Sequence, residues 1–337
     1  MKRIPIAFFY GEGGPSPTIV LSAENLIEDR RQLVKTLQQI MKFVYSNWMS
    51  LNLKCCPTKI ALIKASQRKD CELEYLFVQV IIDYPNFRFD FSGNCGHSLI
   101  AAAAQAIWRS VIPASEGLQR INVLMLNTNT KITIEVDTSE LWCGRINCSI
   151  IYYVPFNSKL LPTGKPLDEI KIQGKSIPVS IINAGNPYIL INANYFGIHS
   201  KECLFSDQEH LVPTLLEIRK QIGSRLGFSV TSVFPKIALV LTERGKDGYL
   251  KSLAARSIYV NNWHPSLGVT GLVCLGVATN IADSILYNVE NPTEKCLTIY
   301  HSSGMIDCKT KSNKEGCTVV ITNKRAKLIL PPLSLVL

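Results

Sequence analysis

Residues 90–108, DFSGNCGHSLIAAAAQAIW, place one cysteine where a thiol can become reactive. Gly93 and Gly96 flank Cys95, and glycine leaves the neighbouring backbone N–H groups unobstructed. The alanine-rich apolar run that follows predicts a helix, so Cys95 would lie at a helix N-terminus, where the pKa of a thiol is lowered. The pattern therefore predicts a stabilised thiolate, although a buried structural cysteine in a tight turn has the same pattern.

The chemistry that suits this helix start is proton transfer next to a carboxylate. Backbone N–H groups can hold the carboxylate and stabilise the enolate-like charge that develops when its α-carbon loses a proton. A second candidate for the proton transfer is Lys59, in the strand-like segment PTKIALI at residues 57–63. A lysine in an apolar cleft can have a lowered pKa and act as a base, whereas a lysine on the solvated face of a strand cannot. The sequence leaves both alternatives open.

Three further stretches and two histidines carry weaker signals. The loop GEGGPSPT at residues 11–18 could cradle an anion, but it lacks the GK[ST] ending of a P-loop. NTNT at 127–130 and AGNPYI at 184–189 are typical of turns, and they could also offer amide or hydroxyl groups to a ligand. His97 and His264 flank two glycine-led helix starts, where a structural or a functional role is possible.

The elements that must position these residues alternate between strands and helices in both halves of the chain. In the first half, an amphipathic helix is predicted at 29–45 and a buried helix at 98–108. In the second half, the same kinds of helix are predicted at 208–226 and 264–285. Strands are predicted at 4–10, 18–21, 59–63, 75–82, 121–126, 131–136, 148–154, 177–182, 188–191 and 236–241, with more strands closing the chain.

The repeated order predicts an α+β protein with two similar lobes, each a curved, barrel-like sheet around a central helix. The segment at 153–166, rich in Pro, Gly and Ser, is the best candidate linker. The lobes are therefore expected at residues 1–160 and 161–337, with the last strands able to return to the first lobe. The two glycine-led helix starts would then converge on an anion.

Composition excludes several classes of protein. Of 337 residues, 47% are hydrophobic and 18% are charged, which is typical of a well-buried globular chain. The net charge is 36 − 26 = +10, but the basic residues are scattered, so nucleic acid is not the expected partner. No apolar run reaches the roughly 18 residues that span a bilayer. Eleven cysteines without a CxxC pattern favour a reduced, cytoplasmic protein, and Cys143 and Cys148 lack the partners that would complete a metal site.

Taken in order, these stretches resemble the PrpF family of 2-methylaconitate, methylitaconate and oxalomesaconate isomerases, which share the diaminopimelate-epimerase fold. GGPSPTIVLSAENL is similar to the opening loop and strand of that family, PTKIALI to its Ser-Lys strand, and GNCGHS to its first helix start. NTNT, AGNPYILINA, EIRKQIGSRLG, PKIALV and HPSLGVTGLVCLGVA follow in the expected order. The resemblance covers nearly the whole chain.

The resemblance implies two pseudo-symmetric lobes and an isomerase that needs neither a metal nor an organic cofactor. Cys95 and Lys59 would be the catalytic pair, one removing a proton and the other returning it, because no cysteine faces Cys95 from the second helix start. The partner would be a small carboxylate or carbonyl compound, and the protein a monomer or homodimer. The residues implied to bind the substrate are Gly13, Gly14, Ser16, Asn94, Gly96, His97, Asn127, Asn129, Asn186, His264, Gly268, Thr270 and Gly271.

This chain departs from the family pattern in the loop expected to hold substrate carboxylates. Glu12 stands where the family commonly has Arg, PSPT at 15–18 replaces Thr-Ser-Lys-Gly, and His97 replaces Asn. The departures predict a substrate with fewer carboxylates than a tricarboxylate, such as a specialised metabolite. Two alternatives remain: a cyclisation or dehydration that begins with the same proton abstraction, and a binding or accessory protein without catalysis.

Overall fold

The structure is a computed structural model that describes residues 3–22, 29–172, 174–246, 248–287 and 294–336. The chain divides into unit 1, residues 1–150 with 323–337, and unit 2, residues 151–322. The division therefore falls after residue 150, whereas the sequence places it after residue 160. Within these described stretches, no helix is long and apolar enough to cross a membrane. The end of the opening motif, residues 23–26, lies outside the described residues.

Unit 1 is built from strands of a barrel and two helices. Over Thr130–Asp137 and Arg145–Pro155, buried positions alternate with half-buried or exposed ones, which marks strands that turn one face to a core. The elements are β1 (Arg3–Gly11), β2 (Thr18–Ser22), α1 (Arg30–Asn47), β3 (Lys59–Ala65), β4 (Leu73–Asp83), β5 (Asn86–Asp90), α2 (Gly96–Trp108), β6 (Leu118–Met125), β7 (Thr130–Asp137) and the first residues of β8 (Arg145–Pro155). The later part of β16 (Gly316–Val336) completes the unit.

The strands of unit 1 form a closed barrel. The order β1-β2-β3-β4-β6-β7-β8-β16 ends on a strand that pairs with β1, so these eight strands leave no free edge. Strands β1 to β4 are buried on both faces. On one face Ile19, Leu21, Ile60 and Leu62 pack with the apolar stripe of α1, and on the other face the strands contact α2. The barrel thus holds a helix that is buried from Gly96 to Ile107, in agreement with the buried helix that the sequence predicts.

Unit 2 contains a further series of paired strands and its own buried helix. It comprises the remainder of β8, then β9 (Asp168–Ile172), β10 (Lys175–Asn183), β11 (Pro187–Asn192), α3 (Lys201–Phe205), α4 (Val212–Arg225), β12 (Lys236–Arg244), β13 (Leu250–Ile258), α5 (Val269–Ala278), β14 (Glu294–His301), β15 (Gly304–Ser312) and the start of β16. All ten residues of α5 are buried. This helix contacts β10, β11 and β15.

The two units repeat one pattern of strand directions. In unit 1, β1-β2-β3-β4-β6-β7 pair antiparallel, parallel, antiparallel, parallel and antiparallel. In unit 2, β10-β11-β12-β13-β14-β15 repeat that series. The repeat extends to register, because Thr18 pairs with Lys59 and Tyr188 pairs with Lys236. Both lysines begin the sequence Lys-Ile-Ala-Leu. The predicted duplication is therefore present in the structure.

Two predicted helices are shorter than expected. The sequence predicts a helix over 264–285, but α5 begins after Gly268 and ends at Ala278. The hydroxyl of Thr279 and the amide of Asn280 both donate to the carbonyl of Gly276. These side chains thus satisfy a carbonyl of the last turn, where the helix itself supplies no donor. The helix predicted at 208–226 consists of a 3₁₀ turn followed by α4, which has a proline in its first turn.

Candidate active site

Cys95 lies at the N-cap of α2. Its backbone is extended, and its carbonyl accepts the first helical hydrogen bond, from the N–H of Leu99 at 2.9 Å. The hydroxyl of Tyr75, a fully buried residue of β4, donates to the same carbonyl at 3.0 Å. The thiol itself is half-buried. The helix start is thus anchored by the barrel wall, while the sulfur stays within reach of a ligand.

Lys59 lies on the α2 side of the barrel wall. Successive side chains of a strand point to opposite faces, and its neighbours Ile60 and Leu62 pack in the cluster around α1. Lys59 therefore shares the opposite face with Ala61. One strand away on that face, the hydroxyl of Thr18 lies 3.0 Å from the hydroxyl of Ser98 in α2. The register of β3 thus directs the lysine toward the helix that begins at Cys95.

The lysine is buried without a hydrogen-bond partner. Lys59 is only 2% exposed, and its Nζ has no hydrogen-bond partner within the described stretches of the chain. Burial lowers the pKa of the Lys59 ammonium, and the nearby thiols of Cys95 and Cys55 oppose that change with smaller effects. The solvated face that the sequence left open is excluded. An amine in this position has a larger neutral fraction than an exposed lysine, and this property suits a base.

The glycine loop after β1 packs directly on these groups. A Cβ at Gly14 would lie 3.2 Å from Lys59 Nζ, and a Cβ at Gly11 would lie 2.6 Å from the carbonyl oxygen of His97. Gly13 has φ of 78°, a conformation that favours glycine. The loop therefore needs glycine both for its turn and for its approach to the lysine. His97 is 2% exposed and lies in the first turn of α2.

Ser16 bonds to the residue that precedes the lysine. Its hydroxyl lies 2.8 Å from the Thr58 hydroxyl and accepts a hydrogen bond from the Thr58 N–H at 3.2 Å. The side-chain amide of Gln79 donates to the Thr58 carbonyl at 2.8 Å. The sequence proposes Ser16 as a substrate ligand. The structure places its hydroxyl where it fixes the backbone beside Lys59.

The NTNT turn is bonded to the segment that precedes Cys95. Asn127 accepts from the N–H of Phe77 at 2.8 Å and donates to the carbonyls of Phe77 and Phe91 at 2.8 and 2.9 Å. Asn94 donates to the Thr128 hydroxyl at 2.8 Å. Asn129 has φ of 52°, which places it in the left-handed region of a turn. These bonds hold the segment before Cys95, and a substrate-binding role for these asparagines stays a prediction.

The helix start of unit 2 has different chemistry. Gly268 is the N-cap of α5, and the amide of Asn186 donates to the hydroxyl of Thr270 at 3.0 Å. The hydroxyl of Tyr188 lies 2.9 Å from the position that a Cβ would take at Gly271. His264 accepts from the N–H of Ser266 at 3.1 Å through Nδ1. The five predicted residues of unit 2, Asn186, His264, Gly268, Thr270 and Gly271, thus cluster at or just before α5.

Cys274 lies a turn further along α5 and is fully buried. Burial raises the pKa of its thiol far above the ordinary value, and the thiol donates to the Ile182 carbonyl at 3.5 Å. It is a core residue, as the sequence predicts. In the part of the chain that the structure describes, no three His, Cys, Asp or Glu side chains are grouped to hold a metal ion.

Comparison with known proteins identifies the family. The model of the PrpF protein family matches residues 1–148 and 154–331. The chain belongs to the PrpF family. The resemblance found in the sequence is therefore confirmed, and it extends over both units.

Relatives of this PrpF protein are named as isomerases and tautomerases. A 4-oxalomesaconate tautomerase of Pseudomonas putida is 28% identical over 291 residues, which cover 79% of this chain and 78% of the relative. A 3-methylitaconate isomerase of Eubacterium barkeri is 26% identical over 290 residues, covering 74% of this chain and 75% of the relative. The predicted class, an isomerase, is confirmed by these names.

A solved structure of a methylitaconate-delta-isomerase shows the same fold. It superimposes with a TM-score of 0.67 and 21% sequence identity, covering 99% of this chain and 95% of that chain. The predicted α+β fold class is confirmed. At this identity the likeness concerns the fold alone.

The PrpF protein carries an acidic residue in its glycine loop. The Glu12 carboxylate lies 4.0 Å from the Arg325 guanidinium, and the Glu12 N–H donates to the Arg325 carbonyl at 2.9 Å. Both side chains are about two-thirds exposed, with values of 63% and 65%. A contact of this length between exposed groups is weak. Glu12, which departs from the family pattern, is therefore accompanied by a nearby cation of β16, the guanidinium of Arg325.

Sequence reasoning missed two contributors to the site. Thr18 and Ser98 join β2 to α2, and this long-range pair has no local signal in the sequence. Cys55 is a half-buried thiol whose pKa burial raises, and Lys59 opposes that change. Its thiol lies 3.9 Å from the carbonyl of Pro15 in the glycine loop. The adjacent pair Cys55-Cys56 is visible in the sequence, but nothing there relates it to Lys59.

Proposed function

We propose that this PrpF protein is a cofactor-independent isomerase that shifts a double bond in a small carboxylate or carbonyl compound. Cys95 and Lys59 are the proton-transferring groups. The observation that carries the proposal is the buried amine of Lys59, whose pKa is lowered by burial and which interacts electrostatically with Cys95 at the start of α2. The names of the relatives supply the reaction class.

In the proposed reaction the neutral amine of Lys59 takes the proton from the carbon next to the carboxylate. The electron pair of the broken C–H bond moves into the conjugated system, and the double bond shifts. The Cys95 thiol then gives its proton to the far carbon. Transfer of a proton from the Lys59 ammonium to the Cys95 thiolate restores the starting state, and the reverse reaction exchanges the two roles.

The first turn of α2 stabilises the charge that this transfer creates. The N–H groups of a first helical turn have no acceptor within the helix, and they carry the positive end of the helix dipole. Placed against the substrate carboxylate, the N–H groups of Gly96 and His97 lower the energy of the enolate-like intermediate. A C–H group next to a carboxylate is a weak acid, so stabilisation of the intermediate supplies much of the rate acceleration.

The proposed substrate carries fewer carboxylates than a tricarboxylate, as a specialised metabolite would. Two observations support this. Glu12 places a negative charge in the glycine loop, and Ser16 is occupied by Thr58. A carboxylate brought to this loop would meet repulsion from Glu12 and would compete for Ser16.

The test is deuterium uptake from D2O into a panel of unsaturated mono-, di- and tricarboxylic acids, followed by NMR. Carbon-bound deuterium is expected in one or more members, with loss of uptake in Cys95→Ala and in Lys59→Met. Cys56→Ala and Lys64→Met are matched controls, because Cys56 is a half-buried thiol just before β3 and Lys64 is a lysine of β3 that pairs with Glu74. Uptake that persists in the first two variants contradicts the proposal.

A further inference from the structure

A cavity lies on the barrel wall of unit 1 where β1, β8 and β16 meet. Its volume is about 470 Å³, and it is lined by residues of these strands and by Glu12 and Glu140. The strands are in contact there, since Tyr10 pairs with Lys327 and the N–H of Leu328 donates to the carbonyl of Gly144. Pockets of roughly 300–1,000 Å³ hold small organic ligands.

More cationic than acidic side chains line the cavity. Arg145, Arg325 and Lys327 line it against two carboxylates. Within the described ranges, Arg145 and Lys327 take part in no ion pair. Arg325 has only the 4.0 Å contact with Glu12, whose side chain is exposed. Two uncommitted cations and one weakly committed cation therefore face the same space, and guanidinium groups match the geometry of carboxylate and phosphate.

The cavity and the buried lysine share one loop. The hydroxyl of Tyr10, which lines the cavity, donates to the carbonyl of Gly14 at 3.0 Å. Gly14 is the residue whose Cβ position lies 3.2 Å from Lys59 Nζ. Glu12, between them in the chain, is joined to β16 by its own N–H and by the contact with Arg325. One face of the loop thus meets the cavity while the other packs on Lys59.

We propose that this cavity is a second ligand site, which binds a small dianion through Arg145, Arg325 and Lys327. The bound dianion takes Arg325 from Glu12, so the Glu12 carboxylate competes with the ligand. The site is separate from the proton-transferring pair, and binding does not require turnover. Because Glu12 belongs to the glycine loop, occupancy of the cavity is coupled to the loop that covers Lys59.

The experiment measures binding in Cys95→Ala, so that no probe is consumed. Succinate, inorganic phosphate and acetate are titrated into the ¹⁵N-labelled full chain and followed by NMR. Succinate is expected to saturate with a dissociation constant of about 1 mM, or about −4.1 kcal/mol. Acetate is expected to bind at least about tenfold more weakly, because it offers one charge to three cations. Phosphate binding as tightly as succinate supports a site that recognises charge, and weaker phosphate binding supports one that recognises carboxylate spacing.

Variants assign the binding to the cavity. Arg145→Ala with Lys327→Ala is expected to weaken succinate at least about tenfold, whereas Glu12→Gln, which removes the competitor, is expected to strengthen it about threefold. Arg120→Ala is the matched control, because Arg120 is an exposed cation of β6 that pairs with Glu135. The proposal is overturned by the absence of saturation, by equal binding of acetate, or by unchanged binding in the double variant. None of these outcomes bears on deuterium uptake, so the two proposals fail separately.

Discussion

The strands that begin with Lys59 and Lys236 hold equivalent positions in units 1 and 2, but their lysines differ in surroundings. Lys59 is 2% exposed beside Gly14 and the start of α2. Lys236 is half-buried, and its ammonium lies 4.5 Å from the centre of the Phe234 ring. A cation over an aromatic ring is stabilised in its charged form. The same four residues therefore begin with a buried amine in unit 1 and with a half-buried ammonium packed on an aromatic ring in unit 2.

The helix starts differ in the same way. Cys95 caps α2, and Gly268 caps α5 at the equivalent place. In unit 2 the hydroxyl of Tyr188 lies 3.3 Å from the Cβ position of Gly268. Duplication thus preserved the strands and the buried helix while the side chains around each helix start changed. The strand order and the buried helix are common to both units, so the side chains around the helix start are what distinguishes them.

The largest expected effect separates the two lysines. Lys59→Met should lower the rate of deuterium exchange roughly 10²–10⁴-fold, which is what a positioned base contributes. Lys236→Met should change it less than about threefold, as is usual for residues outside the site. Exchange rates of the two purified variants check this. Equal losses in both would remove the distinction between the units.

A smaller loss is expected when the glycine loop is pushed against the lysine. In Gly14→Ala the new methyl group would meet Lys59 Nζ at 3.2 Å and the Gly11 carbonyl oxygen at 2.9 Å. Displacement of a catalytic group by about 1 Å costs roughly 10² in rate. Gly223→Ala is the control in α4 of unit 2, where the new methyl group would lie 3.2 Å from the ring of Pro235, and it should have the smaller effect. The measurement is the deuterium-exchange rate of both variants, with circular dichroism to check that they fold. An unchanged rate in Gly14→Ala would contradict the packing of the loop on Lys59.

The pH dependence tests the lowered pKa of Lys59. In the proposed reaction the free amine of Lys59 is the base, so the rate should rise about tenfold per pH unit below the pKa of Lys59 and stop rising above it. Because burial lowers this pKa, the rise should end below 10.5, the ordinary value for lysine. Lys236→Met should show the same profile as the unaltered protein. A rate that keeps rising through pH 10.5 would show that the base is not a buried amine.

The smallest effect is expected from the hydroxyl that fixes the backbone beside Lys59. Ser16→Ala leaves the half-buried Thr58 N–H without its acceptor, at a cost of roughly 1 kcal/mol. It should lower kcat about fivefold with little change in KM, because the hydroxyl acts through the lysine. Ser16→Thr should restore part of the loss. A change confined to KM would instead support the substrate-binding role predicted from the sequence.

Periodicity and motifs predict the buried helix of unit 1 and the strands on either side of Lys59. They miss β13, because buried Arg256 interrupts its apolar pattern. That arginine is held by the carbonyls of Leu204 and Ser206 and lies over the ring of Trp263, contacts that only the folded chain supplies. The short strands β5 and β9 are missed as well.

The candidate site is predictable only in part, because some of its contacts exist only in the folded chain. Cys95 and Lys59 stand in recognisable local patterns, so the sequence nominates both. The burial of Lys59 and the Thr18–Ser98 contact depend on residues far apart in the chain. The cavity on β1, β8 and β16 is equally distant from any local pattern.

The eighth strand of the unit 1 barrel has a consequence for synthesis of the protein. Residues 326–336 of β16 pair with β1, although the whole of unit 2 lies between them in the chain. The ribosome therefore synthesises residues 151–322, a continuous segment, before the barrel can close. Until β16 leaves the ribosome, β1 presents an unpaired edge, which is the kind of surface on which chaperones and aggregating chains act.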